Sequence, residues 1–271
     1  MTNPETMSDD CCRLRRTILD MIHTARSGHA GGSLSCVEIL WTLYSQVLRV
    51  RPEDPGWAAR DRFILSKGHG APALYAVLAA RGFFPHEWLT TLRRTGSHLQ
   101  GHPDMHKTPG VDMSTGSLGM GISAGVGMAL AARLSQRDYR VFVLVGDGEL
   151  QEGQNWEGLM AARKFGLSNL VVVVDRNRVQ LDGPTEEVMP LGDVAEKIAA
   201  FGMEVRVCDG HNCGQLLDAW RWTCAAGTTP RVIVANTIKG KGVSFMEGQS
   251  AWHGARITDE DYRKARKELA A

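Results

Sequence analysis

An aspartate held between two glycines, Gly146-Asp147-Gly148, follows the apolar run 141–145, and thirty residues after Asp147 an asparagine, Asn177, lies just past the run 170–174. The glycines let the backbone turn sharply and approach a ligand closely. A carboxylate there offers a hard oxygen to a cation such as magnesium. If the two runs are neighbouring strands, Asp147 and Asn177 leave the sheet at one edge and can share an octahedral ion with phosphate oxygens. A plain strand-to-helix turn would explain the glycines and aspartate alone, but not the paired spacing.

Four of the nine histidines, His29, His69, His102 and His253, adjoin glycine in GHAGG, KGHG, GHP and WHG. That context suits exposed active-site loops better than core packing. Imidazole can carry a proton to or from a carbonyl or hydroxyl oxygen near neutral pH. His23, His86, His98, His106 and His211 are read as structural.

Strands must place these residues. The runs 141–145, 170–174, 204–207 and 232–236 are continuous or nearly continuous apolar stretches, and RFIL in RFILSKGHG is a further short one. Helical patterns at 155–165, 193–201 and 215–225 alternate with them, which predicts an α/β fold with a mostly parallel open sheet and helices on both faces. Such sheets bind ligands at the carboxyl ends of their strands. Apolar spacing also predicts helices over about 8–27, over 35–47 and in APALYAVLAARG, and Thr258 with Asp261 three residues on reads as the start of a closing helix. The spacing of Gly119, Gly121 and Gly125 matches a dinucleotide-binding loop, but that fingerprint needs a strand just before it and MSTGSL is a poor one. The small residues there are better explained by a helix from about Gly121 packing closely on its neighbours.

With 271 residues, 43% of them hydrophobic, the chain can bury a substantial core. The net charge of +1, from 31 basic and 30 acidic side chains mixed along the sequence, gives no electrostatic footprint for nucleic acid or an anionic membrane. No apolar run is long enough to span a bilayer and the first ten residues are polar and acidic, so a cytoplasmic location is expected. The six cysteines form no CxxC pair and are expected to be reduced and buried.

The stretch GDGELQEGQNWEGLMAARKFGLSNLVVVVDRNRVQLDG resembles the signature by which thiamine diphosphate enzymes hold the cofactor's diphosphate through a divalent metal. The segments SGHAGGS, LSKGHGAPALYAVL, GHPD, TGSLGMGISAGVGMALA and TIKGKGVSFMEGQSAWHG are similar to transketolase in particular, in the same order, over nearly the whole chain. The resemblance implies the thiamine-diphosphate-binding fold and, over 1–271, one diphosphate-binding domain. Asp147, Asn177 and the Val179 carbonyl would hold Mg2+, with Ca2+ or Mn2+ able to replace it. Gly146, Gly148, Glu149, Asn177, His69 and His253 would meet the cofactor, and Gly116, Ser117 and Leu118 would lie along its rings; transketolase often has proline where this chain has Ser117. His29 and His253 would act at substrate oxygens, and His102 would bind the hydroxyl of the donor's first carbon.

In transketolase a further domain supplies the glutamate that activates the cofactor. Glu149, Glu152 and Glu157 lie on the diphosphate side, the wrong domain for that task. The resemblance therefore implies a partner chain, a C-terminal transketolase subunit carrying the pyrimidine-binding and C-terminal domains with that glutamate, in an α2β2 assembly acting on sugar phosphates. The other readings are a piece of a longer protein, the α subunit of a 2-oxo acid dehydrogenase, a 1-deoxyxylulose-5-phosphate synthase-like enzyme, and a degenerate cofactor-binding scaffold. The four glycine-flanked histidines favour a hydroxylated sugar over a 2-oxo acid.

Overall fold

The computed structural model describes residues 4–270, so the extreme ends of the expected 1–271 domain lie outside the described residues. The chain begins with α1 (Pro4–Ala25), α2 (Ala30–Leu34) and α3 (Val37–Gln46), then β1 (Arg62–Leu65) and α4 (Ala71–Ala80). After a long connection come α5 (Met120–Leu134), β2 (Val141–Gly146), α6 (Gly153–Lys164), β3 (Leu170–Arg176), α7 (Thr185–Val188) and α8 (Val194–Ala200). The order closes with β4 (Glu204–Asp209), α9 (Cys213–Trp222), β5 (Arg231–Asn236) and α10 (Asp259–Glu268).

The five strands form one parallel sheet in the order β1-β2-β3-β5-β4. Its central strands read as unbroken apolar runs because both faces are covered. Phe142, Leu144, Val171 and Val173 point into a core built with α1, α3, α4 and α9. Their neighbours Val141, Val143, Val145, Val172 and Val174 point the other way, onto α5, α6 and α8. β4 departs from the expectation of a buried strand: it is an edge, and Glu204, Arg206 and Val207 are exposed along it.

The helix expected over 35–47 forms as α3, Val37–Gln46, and a further short helix that the sequence did not show, α2, stands just ahead of it. α2 is a separate wholly buried turn, and the chain bends at Ser35 and Cys36 before α3 begins. Periodicity could not show this, because α2 is only five residues, AGGSL, and its seat is tertiary: Gly31 lies against Lys239 and the Trp252 carbonyl with no slack for a side chain. No strand lies directly before α5 among the described residues, in keeping with the rejection of a dinucleotide loop. Gly121 in its first turn abuts Ser66 so closely that a Cβ would collide. The cysteine expectation holds for Cys11, Cys36, Cys208 and Cys213; Cys12 is half-buried and Cys224, just beyond α9, is exposed because its helix has ended at the surface.

The closing helix carries the expected cap. Asp261 N–H donates to Thr258 Oγ1 at 3.1 Å, and the Asp261 carboxylate accepts from Thr258 N–H at 3.2 Å. α10 packs on α1 through Tyr262, which donates to Asp20 at 2.8 Å and stacks on His23 at 4.0 Å. Thr258→Ala is expected to lower stability by about 1 kcal/mol, a fall in Tm of roughly 2–4 °C by thermal denaturation; an unchanged Tm would show the cap to be idle.

Candidate active site

β2 and β3 are adjacent and in register, Gly146 opposite Asp175, so Asp147 and Asn177 emerge at the same carboxyl edge. The turn after β3 is tight. Arg178 takes a left-handed φ of 64°, uncommon for a side chain with a Cβ, and this aims its N–H at Asp147 Oδ2, 2.6 Å away. Asp147 Oδ1 accepts from Gly148 N–H at 2.9 Å, and Asn177 Oδ1 accepts from Val179 N–H at 3.2 Å. Burial and the nearby Asp175 push the Asp147 carboxyl up to about 6. A buried carboxylate, an amide oxygen and a backbone carbonyl are a hard-oxygen donor set, and a divalent cation among them would relieve the carboxylate's lost hydration.

These residues line a cleft of about 270 Å3 together with Gly32, Lys67, His69, Leu118, Gly146, Gly148, Glu149, Glu152, Lys239 and His253. His29, His102, Gly116 and Ser117 stand beyond its walls. The four glycine-flanked histidines nevertheless converge. The His29 ring centroid lies 5.6 Å from His69, 6.1 Å from His102 and 5.4 Å from His253, and His69 lies 5.0 Å from His253. Gly116 is pressed to the His102 ring, where a Cβ would stand 3.3 Å away.

All four imidazoles are driven towards neutrality. Burial, then Arg93, His102 and Lys239, lower His29 to about 4, and burial followed by Lys239 lowers His253 to about 4. Burial, with Lys67 next, takes His69 well below the usual range; burial and Arg93 lower His102. At neutral pH each ring has one N–H donor and one free lone pair. His211, by contrast, works in the scaffold, donating from Nδ1 to the Glu38 carboxylate at 3.0 Å and accepting at Nε2 from Ile238 N–H at 2.8 Å.

Three charged groups under the site carried no assignment from sequence. Lys67 and Asp175 form a fully buried ion pair, with Lys67 Nζ also donating to the Gly32 carbonyl at 2.7 Å and Ser35 donating to Asp175 at 2.6 Å. Thr237 donates to the other Asp175 oxygen. Lys239 Nζ donates to the Val179 carbonyl at 3.0 Å and lies 2.9 Å from His253 Nδ1; burial and then Lys67 lower it to about 8. Both lysines sit in glycine-rich segments, SKGHG and IKGKG, and a lysine beside glycine at an anion site was the available signal. Glu149 lines the cleft, yet its carboxylate is occupied by Ser66 Oγ, Gly119 N–H at 2.9 Å and Gly146 N–H at 3.0 Å. It acts as a brace joining three loops.

A cleft at the carboxyl edge of a parallel sheet, with hard oxygens on its floor, two buried lysines and neutral histidines at its rim, defines a binding domain for a phosphorylated cofactor. Residues 8–271 match the family described as "Transketolase, thiamine diphosphate binding domain", and the chain belongs to that family. It is 46% identical over 256 residues to the 6-deoxy-6-sulfo-D-fructose transketolase subunit SqwG of Clostridium sp. (strain MSTE9), covering 94% of this chain and 93% of that one. It is 41% identical to an apulose-4-phosphate transketolase subunit of Phocaeicola vulgatus, covering 98% and 94%. The human transketolase is 38% identical across 92% of this chain, which spans 40% of that protein. The solved structure of the Leishmania mexicana transketolase superposes with a TM-score of 0.91 at 31% identity, covering all of this chain and 42% of that one.

Proposed function

We propose that this chain is the diphosphate-binding subunit of a two-chain transketolase, moving a two-carbon ketol unit from a ketose donor to an aldose acceptor. The observation that carries the reading is the convergence of four neutral histidines above a cleft floored by the Asp147, Asn177 and Val179 oxygens. When bound, thiamine diphosphate supplies the nucleophilic carbon and the electron sink for cleaving the ketose carbon–carbon bond. Asp147, Asn177 and the Val179 carbonyl suit Mg2+, or Ca2+ or Mn2+ in its place. Gly146, Gly148 and His69 would meet the diphosphate, Lys239 would help balance its charge while Lys67 stays paired with Asp175, and Leu118, Gly116 and Ser117 would meet the cofactor's rings. His102 holds a donor hydroxyl. His29 and His253 meet the oxygens where protons move, and a neutral imidazole can give a proton at one nitrogen and take one at the other.

The partner would carry the pyrimidine-binding half and its activating glutamate in an α2β2 assembly. Leu118, Met120, Leu181 and Met189 stand 38%, 42%, 62% and 57% exposed near the cleft, an apolar rim that a covering chain would bury. The relatives named as subunits match this chain along nearly their whole length. Their names specify anionic sugars, a 6-sulfo ketose and a sugar phosphate, and the substrate class proposed for this chain is the same. A cytoplasmic site of action fits six free thiols, and among the described residues no helix is long and apolar enough to cross a membrane.

With thiamine diphosphate, magnesium, a ketose phosphate and an aldose phosphate, the chain alone is expected to give no turnover, and coexpression with the product of a neighbouring reading frame carrying a pyrimidine-binding domain is expected to restore it. Ketol transfer by the isolated chain would sink the two-chain reading. Decarboxylation of a 2-oxo acid by the pair, without ketol transfer, would sink the reaction assignment.

A further inference from the structure

Arg93 lies in TLRRTG, with nothing in its sequence context to mark it. Its backbone is left-handed, φ 61°, and is held so by a hydrogen bond of 2.9 Å from its N–H to the Leu99 carbonyl. A non-glycine residue in this region is uncommon and, at a functional site, is often retained for where it aims the side chain. Here the guanidinium reaches between two of the histidine loops. Nη1 donates to Ser27 Oγ at 3.0 Å, Nη2 donates to His29 Nδ1 at 3.3 Å, and the guanidinium carbon packs so near Gly101, the residue before His102, that a Cβ there would stand 3.0 Å from it. Nε is buried without a partner among the described residues, so the contacts of the two Nη groups set the orientation.

Arginine has five N–H donors, no acceptor, and does not deprotonate in proteins. Its partner must accept. We infer that Arg93 is a positioning residue that fixes His29 as the neutral tautomer bearing its proton on Nε2. The other groups facing His29 are His69, His102, His253 and Lys239, of which His102 and Lys239 add to the burial and to Arg93 in opposing an imidazolium. The ring's hydrogen bond among the described residues is at Nδ1, so Nε2 keeps its proton free to give, and Gly254 packs beside it at ordinary contact distance, a Cβ there standing 3.7 Å away. Given the ketol-transfer reading, on which this consequence rests, His29 enters the reaction as a donor to a substrate oxygen, and taking up the first proton falls to another group.

The test is a long-range 1H–15N correlation spectrum of the full chain with 15N-labelled histidine, the His29 signals being assigned with His29→Gln. At pH 7 His29 is expected to show the Nε2–H tautomer. Arg93→Ala is expected to give a mixture of both tautomers and to raise the His29 pKa from about 4, whereas Arg93→Lys, which keeps a cationic donor, holds the Nε2–H form. In the assembled enzyme Arg93→Ala should lower kcat by about tenfold or more with a smaller change in the donor KM, and Arg93→Lys should recover part of it. An Nδ1–H tautomer or an imidazolium in the unmodified chain at pH 7 overturns the inference, even if Arg93→Ala fails to fold. So does an unchanged His29 tautomer in a folded Arg93→Ala. A correct tautomer in an assembly without ketol transfer would instead leave Arg93 in place and remove the reaction assignment.

Discussion

Replacing Asp147 with Ala is expected to weaken thiamine diphosphate binding in the presence of magnesium roughly a hundredfold or more, about 2.7 kcal/mol, while leaving the chain folded. Asp147 is the one carboxylate in the proposed oxygen set of Asp147, Asn177 and Val179, and an amide and a carbonyl cannot make up its charge. The fold should survive because the side chain's partners among the described residues are local, the Gly148 and Arg178 N–H groups in the two turns that flank it. Removing a carboxylate that burial already pushes up to about 6 also relieves an unfavourable term. Calorimetric titration of the assembled enzyme with thiamine diphosphate and Mg2+, alongside circular dichroism, reads both effects. Full affinity in a folded Asp147→Ala enzyme would remove the cation from the proposal.

The second large effect concerns stability. Asp175→Asn leaves the Lys67 ammonium buried without its counter-charge, and breaking such a pair from one side costs about 3–5 kcal/mol, a fall in Tm on the order of 10 °C. Lys67 keeps the Gly32 carbonyl, so it must either hold an uncompensated charge or shed its proton. The double variant Lys67→Met with Asp175→Asn removes both charges and should recover part of the loss, which a double-mutant cycle measures. The sign of the pH dependence follows from the same pair. Burial pushes Asp175 up, but Lys67 and the Ser35 and Thr237 hydroxyls outweigh it and hold the carboxyl below its usual range. A depressed folded value means a contribution that is present above the unfolded value of about 3.9 and is lost as the pH falls through the folded value. Acid unfolding monitored by fluorescence should therefore shift to higher pH in Asp175→Asn. Stability within about 1 kcal/mol of the parent chain would show the pair to be dispensable.

Much of the site was legible without coordinates. The Gly146-Asp147-Gly148 turn and Asn177 could be placed at one sheet edge because both follow apolar runs whose length and composition dictate strands, and the structure pairs those strands side by side. The glycine-flanked histidines could be singled out by their immediate neighbours. Arg93, Lys67, Asp175 and Lys239 received no role, for a shared reason: each acts through a partner distant in sequence. Lys67 and Asp175 are 108 residues apart and Arg93 and His29 are 64 apart. Glu149 was visible beside the cleft residues, but its work as a brace depends on Ser66 and Gly119, which arrive from separate loops.

The sequence alone determined the alternation of strands and helices, the burial of the central strands on both faces, the capped closing helix and the placing of Asp147 and Asn177 at the ends of β2 and β3. These follow from interactions within a few residues, where side-chain period, glycine freedom and capping chemistry operate. Only the tertiary structure decided that β4 is an exposed edge, that α2 stands apart from α3, that four histidines share one rim, and which buried cation faces which anion or imidazole. Those outcomes depend on the strand order and on which loops the crossovers bring together. The electrostatics of the site are set there, because a charge removed from water takes its pKa and its role from the groups packed against it.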